Sequence, residues 1–315
     1  MGFKYKQVVL AVVAALGSTS ALALVGGSVD ANVSTSPWAG VGAVTINGSV
    51  YSGVLLDSQH VLTAAHVVNG QVGSPGNVGF TLNAGGDLSH TLGVTAITVF
   101  PGYTGTSPGS DGVWHDDLAI ITLSAPVVGA VPTYGLYGGA LDGQTLTLVG
   151  YGGGGDGASG VTSGANASIK RTGQNQVDGV LGDDDGGLHD EVFVFDFDGP
   201  DSSSNIFGTN KPANLSLGST IEAQFAGGDS GSPLFVYDNG AWQIAGIGTF
   251  NSKTNLSSDS NVLFGSVGGG TVVASYIPWI ESTLVAAPVP EPHAWMMLLA
   301  GLGMVGAAVR AKATR

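Results

Sequence analysis

The chain contains no cysteine. Disulfides cannot staple it, thiolates cannot hold a metal in it, and cysteine cannot serve as its nucleophile. A domain that does without disulfides must bury its own apolar core, and 315 residues suffice for that. Charged side chains are scarce at 10 %, and positive ones are scarcest: nine Lys and Arg stand against 23 acidic residues, for a formal net charge of −14. Only Lys170, Arg171, Lys211 and Lys253 lie between residues 24 and 288, whereas every acidic residue but Glu291 lies there. So acidic a body repels phosphate backbones and anionic lipid, which argues against nucleic acid as a partner. Long amphipathic helical patterns are also missing, apart from "IPWIESTLVA" at 277–286.

Both ends read as address labels. Lys4 and Lys6 precede the apolar run "VVLAVVAALG" (8–17) and the small residues "ALA" (21–23), the three parts of a cleavable secretory signal over residues 1–23. At the other end, "PVPEP" leads into an apolar run from Ala294 to Val309 and then Arg310, Lys312 and Arg315. As a helix that run rises about 24 Å, short of the ~30 Å hydrocarbon core, which suits a transient anchor with its basic end held in the cytoplasm. Residues 288–315 resemble the PEP-CTERM sorting tail. The resemblance implies export in a Gram-negative bacterium and removal of the tail by an exosortase-type enzyme, with the membrane engaged only through the tail.

Between the labels the texture is β. Short runs such as "VGAVTI" (41–46), "SGVLLD" (52–57), "HVLTAA" (60–65), "DLAIITL" (117–123) and "QTLTLVGYG" (144–152) are separated by Asn-Gly and Asp-Ser turn signals. Residues 152–190, rich in Gly, Asp, Ser and Asn, read as long surface loops. Strand-like runs return with "EVFVFDF" (191–197), "SPLFVYD" (232–238), "WQIAGIGTF" (242–250) and "TVVASYI" (271–277). The pattern predicts an all-β protein of barrels or sandwiches.

Three of these stretches carry chemistry. A nucleophilic serine needs a base in reach, a carboxylate to orient the base, and backbone donors for the oxyanion. "LTAAH" ends a strand on His66, "DDLAI" offers Asp117 at the head of a strand, and "GGDSGSP" offers Ser230 between Gly228 and Gly231. The order His, Asp, Ser excludes the α/β-hydrolase arrangement, in which Ser comes first within G-x-S-x-G; residue 232 is Ser. His60, His90 and His189 show no metal-binding spacing, and His115 reads as a surface residue.

Together the three segments resemble the chymotrypsin/trypsin family of serine peptidases, as do "LVGG" (24–27), "PWAGVGAV" (37–44), "AGIGTF" (245–250) and "YIPWI" (276–280). The resemblance implies two six-stranded antiparallel β-barrels with a cleft between them and a short C-terminal helix. The first barrel would take residues 24–135, and the second barrel with its helix residues 136–287. It implies Ser230 as nucleophile, His66 as base and Asp117, rather than Asp116, as orienting carboxylate. The N–H groups of Gly228 and Ser230 would form the oxyanion hole. Gln224, Thr249, Phe250, Asn251 and Gly268 would line the substrate pocket. Gln224 stands where trypsin-like members carry an acid, and Asn251 where the family has glycine, so a small or medium uncharged P1 residue is expected. Signal cleavage after Ala23 would free the Leu24 amine to pair with Asp229, with no separate zymogen. The expected function is thus an exported endopeptidase of the cell envelope or exterior that acts on polypeptides and needs no cofactor. Its processing partners would be signal peptidase and the exosortase-type enzyme. The rival readings are a catalytically silent binding or matrix module and an esterase. Asp183, Asp184, Asp185, Asp196 and Asp198 are candidate oxygens for a structural Ca²⁺, although their spacing fits no EF-hand.

Overall fold

The computed structural model describes residues 24–87, 89–105, 113–187, 189–208, 216–252 and 261–285. The expected signal, the sorting tail, Lys211 and Lys253 lie outside the described residues.

Two short strands open the described residues, β1 (Leu24–Val25) and β2 (Ser28–Val29). A closed barrel follows, made of β3 (Val41–Ile46), β4 (Ser49–Leu55), β5 (His60–Thr63), β6 (Val78–Leu82), β7 (His90–Val99) and β8 (Ala119–Leu123). Its order is β3-β4-β5-β8-β7-β6. The hairpin β3–β4 turns on Asn47-Gly48, both at positive φ (50° and 84°), the twist that a two-residue hairpin loop demands. Inside, Phe80 is fully buried, and a Cβ on Gly42 would stand 2.4 Å from its ring. A helix of one turn, α1 (Ala65–Val68), follows β5 directly.

The remaining strands are β9 (Gly135–Leu136), β10 (Thr145–Gly150), β11 (Gly154–Asp156), β12 (Gly160–Ser163), β13 (Arg171–Gln176), β14 (Gly179–Gly182), β15 (Asp190–Asp196), β16 (Pro233–Asp238), β17 (Ala241–Ser252) and β18 (Val267–Val272). They form a nine-stranded sheet in the order β14-β15-β18-β17-β16-β10-β13-β2, with β9 paired to β17, and a small sheet β1-β11-β12. Where a second six-stranded barrel was expected, this sheet is open. Its two ends are the four-residue β14 and the two-residue β2, and short strands blunt an edge without closing it. Four strands, β11 to β14, occupy the stretch read as surface loops. They escape a pattern search because a strand such as "RTGQNQ" is held by its ladder to β10 and buries Arg171 and Asn175, not apolar side chains.

The N-terminus also departs from expectation: β1 pairs with β11 and β2 with β13, so both join the second half and not the barrel. Leu24 and Val25 are fully buried, Leu24 in the core with Phe193, Phe195 and Phe225. Burying each such phenylalanine contributes roughly 1.5–3 kcal/mol. Lys170 joins the halves, donating from Nζ to the Trp38 carbonyl (2.8 Å) and Asn83 Oδ1 (3.0 Å). The helix α2 (Ile277–Val285) coincides with the one helical pattern found in the sequence. Among the described residues, no helix is long and apolar enough to cross a membrane.

Candidate active site

In the barrel, β5 and β8 are antiparallel neighbours with Thr63 opposite Ala119. Whatever follows Thr63 must therefore lie beside whatever precedes Ala119, which brings His66 to Asp117. The contact is two-pronged. Asp117 Oδ2 lies 2.6 Å from His66 Nδ1, and Asp117 Oδ1 accepts the His66 backbone N–H at 2.8 Å. The Asp117 side chain is 3 % exposed and that of His66 34 %, so the carboxylate is sheltered while the imidazole reaches solvent. Asp116 sets up this approach in a left-handed turn (φ +58°), its carbonyl accepting from the Leu118 N–H at 2.7 Å. With Nδ1–H given to Asp117, Nε2 is the proton acceptor.

Ser230 comes from the second half, on the loop between Ala226 and β16. The Asp229 N–H donates to the Ala226 carbonyl (3.0 Å), and the Ser232 N–H to the Asp229 carbonyl (2.9 Å). The barrel grips this loop through two side chains that the sequence analysis missed. The Ser52 N–H donates to the Ser230 carbonyl (3.0 Å) and Ser52 Oγ to the Gly228 carbonyl (3.1 Å), while Thr63 Oγ1 donates to the Ser52 carbonyl (2.8 Å). A Cβ on Gly231 would stand 2.1 Å from Thr63 Oγ1 and 3.1 Å from the Ala64 nitrogen. The residue after Ser230 is thus pressed against the backbone that leads into His66.

The loop leaves donors unspent. The Gly227 carbonyl is held by the Gly153 N–H at 2.9 Å, and a trans peptide then turns the Gly228 N–H the opposite way. Gly228 itself sits at φ +99°. Among the described residues, no hydrogen bond occupies the N–H of Gly228 or Ser230, Ser230 Oγ or His66 Nε2.

Asp229 is buried, and burial pushes its carboxyl up to about 7, against the opposing pull of the Ala226 and Gly152 N–H groups and of Arg171. Its Oδ1 accepts from the Gly152 N–H (2.8 Å) and its Oδ2 from the Ala226 N–H (3.0 Å). The expected pairing with a freed Leu24 amine belongs to the processed chain, because Leu24 here still follows Ala23. In the uncleaved chain the positive charge that acts on Asp229 is Arg171, fully buried, which donates from Nη1 to the Gly152 carbonyl and from Nη2 to Ser163 Oγ (3.2 Å). The "LVGG" segment does dock beside the site: the Val25 N–H donates to the Gln224 carbonyl (3.1 Å) and the Gln224 N–H returns the bond (2.8 Å). The one sequence hint of Arg171 was the scarcity of basic residues in the body.

The expected pocket residues are brought together. Asn251 faces Gly268 and Phe250 faces Gly269 across the β17–β18 ladder, with a bulge at Thr249. Gln224 is buried, with Oε1 accepting from the Phe225 N–H (2.8 Å), and a Cβ on Gly268 would stand 2.1 Å from that oxygen. Asn251 Nδ2 reaches the Phe225 carbonyl at 2.7 Å.

The acidic residues separate into two places. Asp183, Asp184 and Asp185 lie in the turn between β14 and β15, whereas Asp196 and Asp198 lie at the far end of β15, about 20 Å along the strand. At that end, the buried Asp178, Asp196 and Glu222 hold backbone N–H groups: Asp196 Oδ2 accepts from Phe207 (3.0 Å), Glu222 Oε2 from Asp198 (2.7 Å) and Asp178 Oδ2 from Asp196 (3.1 Å), while Asp198 Oδ2 accepts from Asn205 Nδ2 (3.2 Å). Burial pushes Asp178 up to about 8, Asp196 to about 6 and Glu222 to about 7. His115, read as a surface residue, is buried, with Nδ1 2.9 Å from Glu191 Oε2. It is held against Glu191 of β15, a long-range contact that its polar neighbours in sequence did not foretell.

Two family models match the chain: a trypsin-like peptidase domain over residues 51–247 and a PEP-CTERM protein-sorting motif over residues 288–313. Among curated proteins, none matches.

Proposed function

The chain belongs to the trypsin-like peptidase family, and from that premise we propose that it is a serine endopeptidase working through Ser230, His66 and Asp117. Its PEP-CTERM motif marks it for export and envelope sorting. The observation that carries the proposal is the two-pronged Asp117–His66 contact, which leaves Nε2 as base, beside a loop whose Gly228 and Ser230 N–H groups are unspent.

In this reading Ser230 Oγ attacks the scissile carbonyl as His66 Nε2 takes its proton. Asp117 holds the tautomer and stabilises the imidazolium. The N–H groups of Gly228 and Ser230 receive the oxyanion, a contribution worth on the order of 10²–10³ in rate per donor. His66 returns the proton to the leaving amine, and water then cleaves the acyl-enzyme. No cofactor enters these steps. The open nine-stranded sheet stands for the family's second barrel.

A small or medium uncharged P1 residue is supported by Gln224 at the pocket base, where no charge pairs Arg or Lys, and by the Asn251–Phe225 bond across its wall. Signal peptidase would cut after Ala23 and an exosortase-type enzyme would remove the tail. Arg171 already lends Asp229 a favourable charge in the uncleaved chain, so this reading needs no activating cleavage beyond export.

The rival reading is a silent binding or matrix module. It is favoured by one observation, that Ser230 Oγ makes no hydrogen bond to His66 in the resting structure. Hydrolysis of a peptide library by the processed protein separates the two. Cleavage after Ala or Val that vanishes in Ser230→Ala supports the peptidase. No cleavage by folded protein supports the module, and cleavage of esters alone supports an esterase.

A further inference from the structure

The residues just before Asp117 belong to a second group of ligating side chains, which the proposed chemistry does not use. The His115 side chain is 3 % exposed, and its Nδ1 lies 2.9 Å from Glu191 Oε2 and 4.0 Å from Asp184 Oδ1. Asp116, Asp184 and Asp185 form an adjoining triplet. Within each triplet the ligand atoms lie within 4.8 Å of one another, and Asp184 belongs to both. A cavity of about 60 Å³ opens there, lined by His115, Asp116, Asp184 and Asp185 together with Tyr103 and Trp114. That is room for an ion and one or two waters.

The group is more than an acidic cluster. A buried imidazole nitrogen faces it, and its electrostatics call for a cation. No Lys or Arg lines the cavity among the described residues. The ligands also come from separate elements: His115 and Asp116 lead into β8 of the barrel, Asp184 and Asp185 sit in the β14–β15 turn, and Glu191 is on β15.

We propose that His115, Asp184 and Glu191, with Asp116 and Asp185 at the margin, bind one Zn²⁺ that clamps the barrel to the nine-stranded sheet beside Asp117. Imidazole with carboxylates suits a borderline divalent ion, whereas Ca²⁺ takes oxygens alone and six or more of them. Three protein ligands plus water complete a tetrahedral shell. The site shares Asp184 and Asp185 with the Ca²⁺ set considered on sequence grounds, but it adds His115, Glu191 and Asp116, leaves out Asp196 and Asp198, and takes a different ion.

The test is Zn²⁺ titration of the chelator-treated full chain against a chromophoric chelator, with thermal melting in parallel. One Zn²⁺ per chain and a raised Tm are expected. His115→Ala and, separately, Asp184→Asn should each weaken binding by more than about 100-fold, beyond the usual cost of losing an outer-shell partner. Asp184 is 39 % exposed, so its variant decides the matter if His115→Ala does not fold. Three results would overturn the proposal: no uptake by the wild type, uptake unchanged in Asp184→Asn, or uptake that survives His115→Ala and vanishes in His66→Ala.

Discussion

Asp229 and Arg171 hold Gly152 from opposite sides: the Gly152 N–H donates to Asp229 Oδ1 at 2.8 Å, and the Gly152 carbonyl accepts from Arg171 Nη1. The glycine is required, since a Cβ there would stand 2.2 Å from Asp229 Oδ2. Through this residue a buried cation and a buried carboxylate fix the loop that presents Ser230.

Arg171→Met should therefore lower kcat/KM by at least about 10²-fold, the scale of one lost oxyanion donor, while the His66–Asp117 contact persists. Blocking the Leu24 amine by acetylation should leave kcat/KM unchanged within about threefold, because the charge opposing Asp229 is already internal. The two treatments, compared on processed protein, assign the counter-charge. Activity lost on acetylation but kept in Arg171→Met would reverse the assignment.

Stability should fall as pH rises from about 4 to 8. Asp196, Glu222, Asp229 and Asp178 have folded values of about 6, 7, 7 and 8. The folded state thus binds more protons than the unfolded state across that window, and the slope of stability against pH is negative. Asp57 and Asp156 are shifted downward, so their contribution is lost only at lower pH. Lys170, pushed down to about 8 by burial, acts above the window. Melting should show Tm roughly 5–10 °C lower at pH 8 than at pH 5, and Asp178→Asn should flatten the difference.

Gly231→Ala should destabilise the fold by about 2 kcal/mol or more, since it adds left-handed strain to overlap with backbone. Gly231 has φ +81°, and its Cβ would stand 2.3 Å from the Ser52 carbonyl oxygen. Gly227→Ala, four residues earlier with nothing within 4 Å of its Cβ, should be near neutral. Denaturant titration of both variants checks the contrast.

Removing the Asn251 side chain removes its bond to the Phe225 carbonyl. Asn251→Gly should raise kcat/KM for P1 Phe relative to P1 Ala by about 10-fold or more, within the range a pocket contact commands. A paired assay of two peptides that differ only at P1 measures it.

What was legible in the sequence is what is contiguous in it. "LTAAH" and "GGDSGSP" each carry their residue type and local turn within a few positions, and Asn47-Gly48 announces its hairpin. The site's supports are not contiguous. Ser52 meets Gly228 across 176 residues, and Gly152 meets Asp229 across 77. No local pattern marks such pairs, because the ladders that bring them together depend on register between distant strands. Polar strands were missed for a related reason: β13 contains no apolar alternation, yet its ladder to β10 places Arg171 opposite Gly150. Closure of the second sheet depends on pairing at its two edges, which a count of strand-like runs does not address.

The central claim is that Ser230 is an activated nucleophile. Fluorophosphonate labelling of the processed protein, with the adduct mapped by mass spectrometry, tests it most directly. The account predicts one adduct, on Ser230, absent in Ser230→Ala and slowed by about 10³-fold or more in His66→Ala. Folded wild-type protein that takes no label, or a label that persists in Ser230→Ala, would contradict it.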